Sequence, residues 1–251
     1  MRIVFLAVDD EFAGVMQEEL FRTHPEWVVG SVLSKNSIFK KNLVQAAIFI
    51  ISTSGIAFFL EMFRMKILRK LTGGSKKPSP RSLARQHSIP IFQSGNINDA
   101  ASLAQLKAWN PDLVISTNFS HYIGKKARGV AKFGTWNLHK ALLPEYRGMA
   151  PSFHALREGK DQVGVTLHVV EKGFDTGDIL TQKAIPIGSD DTVYSLNCCA
   201  SAEGGKLMSE YLAQLDLDAF LATPQPEGDW DNYTYPTPGE VRQFKKQGLK
   251  F

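Results

Sequence analysis

The sequence predicts an α/β fold: a doubly wound, mostly parallel sheet with helices on both faces, plus a hydrophobic and basic helical insertion. Three observations predict it. Short runs of consecutive apolar residues recur along the chain, such as Ile3-Val4-Phe5-Leu6-Ala7-Val8 and Leu113-Val114-Ile115. A strand buried on both faces needs that pattern rather than strict alternation. Between the runs lie segments whose apolar residues repeat at helical spacing, the order that builds parallel crossovers. From about residue 38 to 74 this alternation stops, and an uncharged apolar run takes its place.

The opening run meets Asp9-Asp10-Glu11 at once. A secretory signal needs a longer apolar core and a small-residue cleavage site, so residues 1–8 read as a strand. A helix over about 12–23 follows, with Val15, Met16, Leu20 and Phe21 at helical spacing, and 27–33 is the second strand. After the insertion, 82–86 ends a helix and 89–92 is a short strand. A helix at 99–109 precedes buried strands at 112–116 and 133–138. Strands at 164–170 and 179–187 come next, then a helix over about 192–215. The tail from Thr223, rich in Pro, Gly and aromatic residues, is expected to wrap the surface. The chain divides into a main domain over 1–215, interrupted by the insertion at 38–74, and a tail over 216–251.

The net charge of +4 hides an asymmetry. Residues 34–87 hold eleven Lys or Arg against one acid, Glu61, a net of +10, so the rest of the chain carries −6. A protein that coats nucleic acid spreads basic charge over a face, so nucleic acid is not an expected partner. Adjacent Cys198 and Cys199 form no disulfide scaffold and fit a reducing, cytoplasmic compartment.

Residues 42–60 carry no charge. At ~1.5 Å per residue, a helix of that length nears the ~30 Å apolar thickness of a bilayer. A single crossing would leave strands of one sheet on opposite sides of a membrane. A re-entrant hairpin, a helix in the interface, or a helix buried in a homodimer are the choices left. Residues 62–71 favour the interface: Phe63, Ile67 and Leu71 share one side of a helix, and Lys66, Arg69 and Lys70 lie largely opposite. Peripheral contact with the inner membrane face through 38–74 is the expectation, with an oligomer contact as the alternative.

The densest chemical signal lies between Trp136 and Gln182. Asn137 and His139 stand two apart at the end of a strand, so their side chains share a face. The carboxyl edge of a parallel sheet is where such folds place ligands. An amide and an imidazole there can polarise a carbonyl and move a proton. Asp175, in the Gly-flanked loop Gly173-Phe174-Asp175-Thr176-Gly177, can reach the same point. Taken alone, these residues also suit a hydrogen-bonded structural histidine and a tight turn. The histidines show no metal-ligand spacing.

The longer string is more specific. Asn137-Leu138-His139-Lys140-Ala141-Leu142-Leu143-Pro144-Glu145-Tyr146-Arg147-Gly148, with Gly164-Val165-Thr166 and Asp175-Thr176-Gly177-Asp178-Ile179, resembles the 10-formyltetrahydrofolate-dependent formyltransferase family. Its members act on methionyl-tRNA, glycinamide ribonucleotide or amino-sugars. The resemblance covers most of residues 1–215 outside the break. It implies a Rossmann-like catalytic domain, 10-formyltetrahydrofolate as formyl donor, no metal, and catalytic roles for Asn137, His139 and Asp175. In that chemistry an amine attacks the formyl carbon and Asn137 holds the formyl oxygen. His139 adds a donor to the developing charge, and Asp175 orients His139 and a water that take the amine's proton. The pterin is expected between 119–123 and 172–175. Phe119, Tyr122 and Ile123 would form an apolar wall, with Phe174 beside them, and backbone near Val170 and Gly173 a polar edge. Tyr146 and Arg147 are expected on the substrate side, with bracing of its own loop as the alternative for Arg147.

Two departures matter. The family's His-Pro-Ser is His139-Lys140-Ala141 here. The loop Val8-Asp9-Asp10-Glu11 has no Gly-rich phosphate cradle, and three carboxylates in a row repel phosphate. Members acting on initiator tRNA carry a C-terminal barrel of roughly a hundred residues, more than 216–251 can supply. Relatives without it often act on amino-sugars. The expectation is an N-formyltransferase for a small-molecule amine, an amino-sugar linked to a nucleotide or a lipid, near the membrane. Three alternatives stand beside it: a methionyl-tRNA formyltransferase-like enzyme lacking the tRNA-binding domain, an inactive folate- or partner-binding module, and a hydrolase of the donor.

Overall fold

A computed structural model describes residues 1–35, 43–71, 77–216 and 219–251; at residues 43, 65, 66 and 68–71 it describes the backbone alone. The elements run β1 (Ile3–Ala7), α1 (Glu11–Thr23), β2 (Val28–Ser34), α2 (Leu43–Leu71), α3 (Pro80–Gln86), β3 (Ile91–Ser94), α4 (Ala100–Trp109), β4 (Leu113–Thr117) and α5 (Lys125–Arg128). They continue with β5 (Thr135–His139), β6 (Arg147–Gly148), α6 (Pro151–Arg157), β7 (Gln162–Val169), β8 (Ile179–Pro186), α7 (Val193–Gln214), β9 (Asn232–Tyr233) and α8 (Pro238–Lys246).

The main sheet has the order β3-β2-β1-β4-β5-β7-β8. Its first five strands are parallel; β7 runs antiparallel to β5, and β8 antiparallel to β7. Helices cover both faces, as the apolar runs require. Along β1, Ile3 and Phe5 join a core with Met16, Leu20 and Phe21 of α1 and Met208 and Leu212 of α7. Val4 and Leu6 face the opposite core with Leu106 of α4 and Ala127 of α5. The period of two thus feeds two cores from one strand. Helix starts follow side-chain capping: Asp10, Ser79, Asp99, Thr192 and Thr237 each accept a backbone N–H from the first turn.

Two sequence expectations change. The strand read at 89–92 is Ile91–Ser94. Pro90 has no N–H to give, and it contributes only its carbonyl, which accepts from Ser31 N at 3.0 Å. The long uncharged helix is not continuous either. Gly55, at φ 85° and ψ 162°, breaks α2 into two arms, so Val44–Arg64, long and apolar enough by length and composition to cross a membrane, is not one straight helix. Residues 38–42 and 72–74 of the insertion lie outside the described residues.

Ala46, Ile50, Ser54 and Phe58 are the buried side of α2. They meet α8 and the chain end, where Ile50, Phe58 and Val241 form a separate apolar cluster with Tyr235 and Phe251 at its margin. Gly55 sits against Pro238. The segment expected to wrap the surface thus also packs inward. Phe244 of α8 is fully buried and stacks on Phe153 of α6 at 4.6 Å.

Candidate active site

The last parallel strand, β5, ends where the sheet turns antiparallel. Its register against β7 sets Asn137 opposite His168 and His139 opposite Thr166. The loop between β7 and β8 then returns Asp175 to the same point. Asn137, His139 and Asp175, all expected at this edge, come together there, and His168 joins them. Sequence reasoning passed over His168 among scattered histidines. The signal lay in Thr166-Leu167-His168, where period two puts His168 on the face of Thr166.

Asp175 is the hub. Its Oδ1 accepts from Asn137 Nδ2 at 3.3 Å and lies 3.4 Å from His168 Nε2. Its Oδ2 accepts from the Gly148 N–H at 2.9 Å and lies 3.7 Å from His139 Nδ1. Burial raises the pKa of this carboxyl, but the His139 and His168 imidazoles and the Gly148 N–H outweigh it and hold the group well below the usual carboxylate range. Asp175 has φ 52°, a left-handed backbone that a non-glycine residue adopts at a cost.

His139 Nε2 donates to the Tyr146 carbonyl at 3.0 Å. That bond leaves Nδ1 as the ring nitrogen that faces Asp175. His168 Nδ1 donates to the Val169 carbonyl at 2.8 Å, so Nε2 is the ring nitrogen turned to the Asn137 amide at 3.2 Å and to Asp175 Oδ1 at 3.4 Å. Both Asn137 amide protons are thus engaged, each by a long hydrogen bond.

The loop after β5 is fastened from below. Thr166 Oγ1 donates to Ala141 O and accepts from Leu143 N, and Gln182 Nε2 donates to both Leu143 O and Thr166 Oγ1. Tyr146 follows at φ 55°. Its hydroxyl is committed to Glu158 at 2.7 Å and its ring is buried, so it is the carbonyl, not the side chain, that serves this site. Gly148 has φ 97°, and a Cβ there would collide with the Tyr233 carbonyl, which the β6–β9 pairing brings close.

Arg147 Nη2 donates to Gln225 Oε1 at 2.6 Å, and Gln225 Nε2 donates to the carbonyls of Asp175 and Gly177 at 2.9 and 2.7 Å. Arg147 is thereby linked through Gln225 of the tail to the loop of Asp175, a tie that neither of its sequence readings, substrate contact or bracing of its own loop, included. Gln225 was missed because its partners lie some fifty residues away in sequence.

Outside this centre, loops 118–124 and 170–178 meet. Tyr122 Oη donates to the Lys172 carbonyl at 3.1 Å, and its ring meets Phe174 edge-on at 5.8 Å. Tyr122 is 46% exposed and Phe174 65%. Ile123 is buried, with Phe119 packed at the edge of the same core. Gly173 is exposed at the rim, and Val170 N is committed to the Thr135 carbonyl at 2.8 Å. At the neighbouring strand ends, Asp9 pairs with Arg81 at 2.7 Å, and Asp10 caps α1 and accepts from Asn118 Nδ2 at 2.6 Å. The three-carboxylate run is therefore not a bare negative patch. Lys140 stands over the Phe12 ring at 4.7 Å; burial lowers its pKa, opposed by Asp10 and Cys198.

The Formyl transferase family model matches residues 65–212. The chain is 35% identical over 150 residues to a methionyl-tRNA formyltransferase of Anaeromyxobacter dehalogenans, covering 60% of this chain and 48% of that protein. It is 37% identical over 150 residues to the Geobacillus thermodenitrificans protein of the same name, covering 60% and 47%. The chain thus spans about half the length of the curated relatives it matches. Among solved structures it resembles an N-formyltransferase from Helicobacter canadensis, in complex with folinic acid and dTDP-3-aminofucose, with TM-score 0.61 and 20% identity over 92% of this chain and 71% of that one. It also resembles a phosphoribosylglycinamide formyltransferase from Bacillus halodurans, with TM-score 0.60 and 20% identity over 84% and 93%. At those identities the structures speak for the fold. With the family model matching residues 65–212, more than half of the chain, the chain belongs to the formyl transferase family.

Proposed function

We propose that this protein is a 10-formyltetrahydrofolate-dependent N-formyltransferase acting on a small amine, with Asn137, His139 and Asp175 as its catalytic residues. The single observation that carries the reading is the convergence of Asn137, His139 and His168 on the two oxygens of one ionised carboxylate, in a chain of this family. Tyr122 and Phe174 offer exposed aromatic surface beside Asp175, which suits a flat heterocycle, and Phe119, Ile123, Val170 and Gly173 line the same approach. When bound, the folate supplies an N-linked formyl group.

The chain's own residues do the rest. Asn137 rotates one amide proton from Asp175 to the formyl oxygen and stabilises the charge that grows there. Its present bonds of 3.2 and 3.3 Å make that exchange inexpensive. His139 takes the proton of the attacking amine at Nδ1, because Nε2 is held by the Tyr146 carbonyl. Asp175 then faces an imidazolium and stabilises it, until the ring gives that proton to the departing folate nitrogen as the bond from that nitrogen to the formyl carbon breaks. His168 positions the Asn137 amide and the carboxylate. Arg147 holds the Asp175 loop through Gln225.

For the acceptor we favour an amino-sugar, linked to a nucleotide or a lipid, with the enzyme working at the inner membrane face. Support comes from the solved relatives of like fold, one bound to dTDP-3-aminofucose and one a sugar 3N-formyl transferase with dTDP and 5-N-formyl-THF. The methionyl-tRNA formyltransferases among the relatives favour charged tRNA as the second reading. A screen of amino-sugar nucleotides, lipid-linked amines and charged tRNA, read by mass spectrometry of formylated product, decides between them. Formylation of tRNA alone would overturn the amino-sugar assignment, and no formylation of any amine with folate still bound would favour the inactive module.

A further inference from the structure

Exposed apolar surface is concentrated in two places. Among the described residues, eleven large hydrophobic side chains are exposed. Tyr122 and Phe174 flank the candidate active site, Leu221 lies in the tail, and the other eight are on α2. In the first arm Val44, Ile48 and Ile51 stand at i, i+4 and i+7; in the second, Ile56, Leu60, Phe63 and Ile67 stand at i, i+4, i+7 and i+11. Each set is one stripe on its arm. The opposite side of α2 is spent on the body, through Ile50 and Phe58 against Val241. The exposed stripes are therefore not the residue of a poorly packed core. Val44 is 68% and Ile48 62% exposed, which a soluble surface helix does not present in series.

The charge beside these stripes selects the partner. Arg64, next to Phe63, opens onto a cavity of about 300 Å³ that also takes in Lys245 and Lys250. Glu61 is the one acid lining it, paired with Arg64 and Lys245 at 2.9 Å each. Lys66, Arg69 and Lys70 follow on the last turns of the same helix. An apolar face bordered by cations and a basic cavity fits an anionic bilayer surface. A second copy of the chain would bring the same cations against each other. The break at Gly55 and the seating of both arms on the body exclude a straight crossing and leave the helix lying along a surface.

We infer that α2 is an in-plane membrane anchor: its two exposed stripes enter the headgroup boundary of an anionic bilayer, and the Arg64–Lys245–Lys250 cavity receives a lipid headgroup. This deepens the membrane-face part of the proposed function but does not depend on the chemistry. The anchor shares a scaffold with the candidate site. Phe49 of α2 meets Tyr235 at 6.2 Å, and two residues earlier Tyr233 pairs with Gly148, whose N–H donates to Asp175.

The test is flotation of the full chain with vesicles of phosphatidylcholine, alone or with about a third phosphatidylglycerol, at ~0.1 M salt. Binding to the anionic vesicles is expected, with at least a tenfold weaker partition for the Ile48→Glu, Phe63→Glu double variant. Arg64→Ala with Lys250→Ala should remove the preference for anionic over neutral vesicles. These side chains are exposed, and circular dichroism of each variant checks that it remains folded. A wild-type chain that stays with the buffer, or a double variant that floats as well as wild type, overturns the proposal. So does a dimer in light scattering that Phe63→Glu splits while vesicles bind nothing. Formyl transfer measured without vesicles fails or succeeds separately, so loss of one reading does not masquerade as loss of the other.

Discussion

The two oxygens of Asp175 divide their partners, Oδ1 toward Asn137 and His168, Oδ2 toward Gly148 and His139. If His139 takes the amine's proton, His139→Ala lowers kcat by about 10²–10⁴-fold and leaves folate affinity nearly unchanged. Steady-state kinetics and a folate titration check both halves, and a mild effect on kcat contradicts the role. The pH dependence of stability follows from Asp175. Its folded pKa lies below the ordinary 3.8, so its contribution is complete above that value and is lost as pH falls through the lower folded one. Asp175→Asn should therefore lower the melting temperature at neutral pH and reduce its further fall in acid, measured by thermal unfolding across that range. Asn137, His139 and Asp175 are legible in the sequence because their motifs are local. His168 was missed because its period-two signal in Thr166-Leu167-His168 points to the site only once the antiparallel register of β7 against β5 is known, and Gln225 because it arrives through a tail contact that no local spacing encodes.

Helices and strands were legible to within a residue or two where Asp10, Asp99, Thr192 or an apolar run mark them; α8, capped by Thr237, was read only as part of a surface tail. The two-residue strands β6 and β9 carry no such mark, since they exist only because the tail returns to the loop after β5. That pairing is tight at Gly148. Gly148→Ala forces a side chain into a left-handed backbone and against Tyr233, a destabilisation of about 1–3 kcal/mol. It also displaces a hydrogen bond to Asp175, so denaturant midpoint and kcat should fall together. Gln225→Ala is the milder probe of the same element. It frees Arg147 and two carbonyls of the Asp175 loop, and should lower kcat with little change in fold by circular dichroism. The break in α2 escaped the sequence reading because an uncharged run advertises length, while a single glycine decides direction.

At the scale of the whole molecule, the apolar helix α2 and the tail share a border. The tail seals α6 with Phe244 and supports α2 through Val241 and Phe251. Deletion of residues 223–251 should therefore cost solubility and cooperative unfolding rather than trim a dispensable strap, which expression and thermal melts would register. The division of charge between a basic segment and an acidic remainder was visible in the sequence; the shared border was not, because it joins residues some 190 apart, such as Phe58 and Phe251. The central claim is that the strand-end cluster moves a formyl group to an amine. Its most direct measurement is tetrahydrofolate release from 10-formyltetrahydrofolate, with and without an amine acceptor, for wild type and His139→Ala. The account predicts amine-dependent release that His139→Ala lowers at least about 100-fold; release indifferent to both the amine and His139 would contradict it.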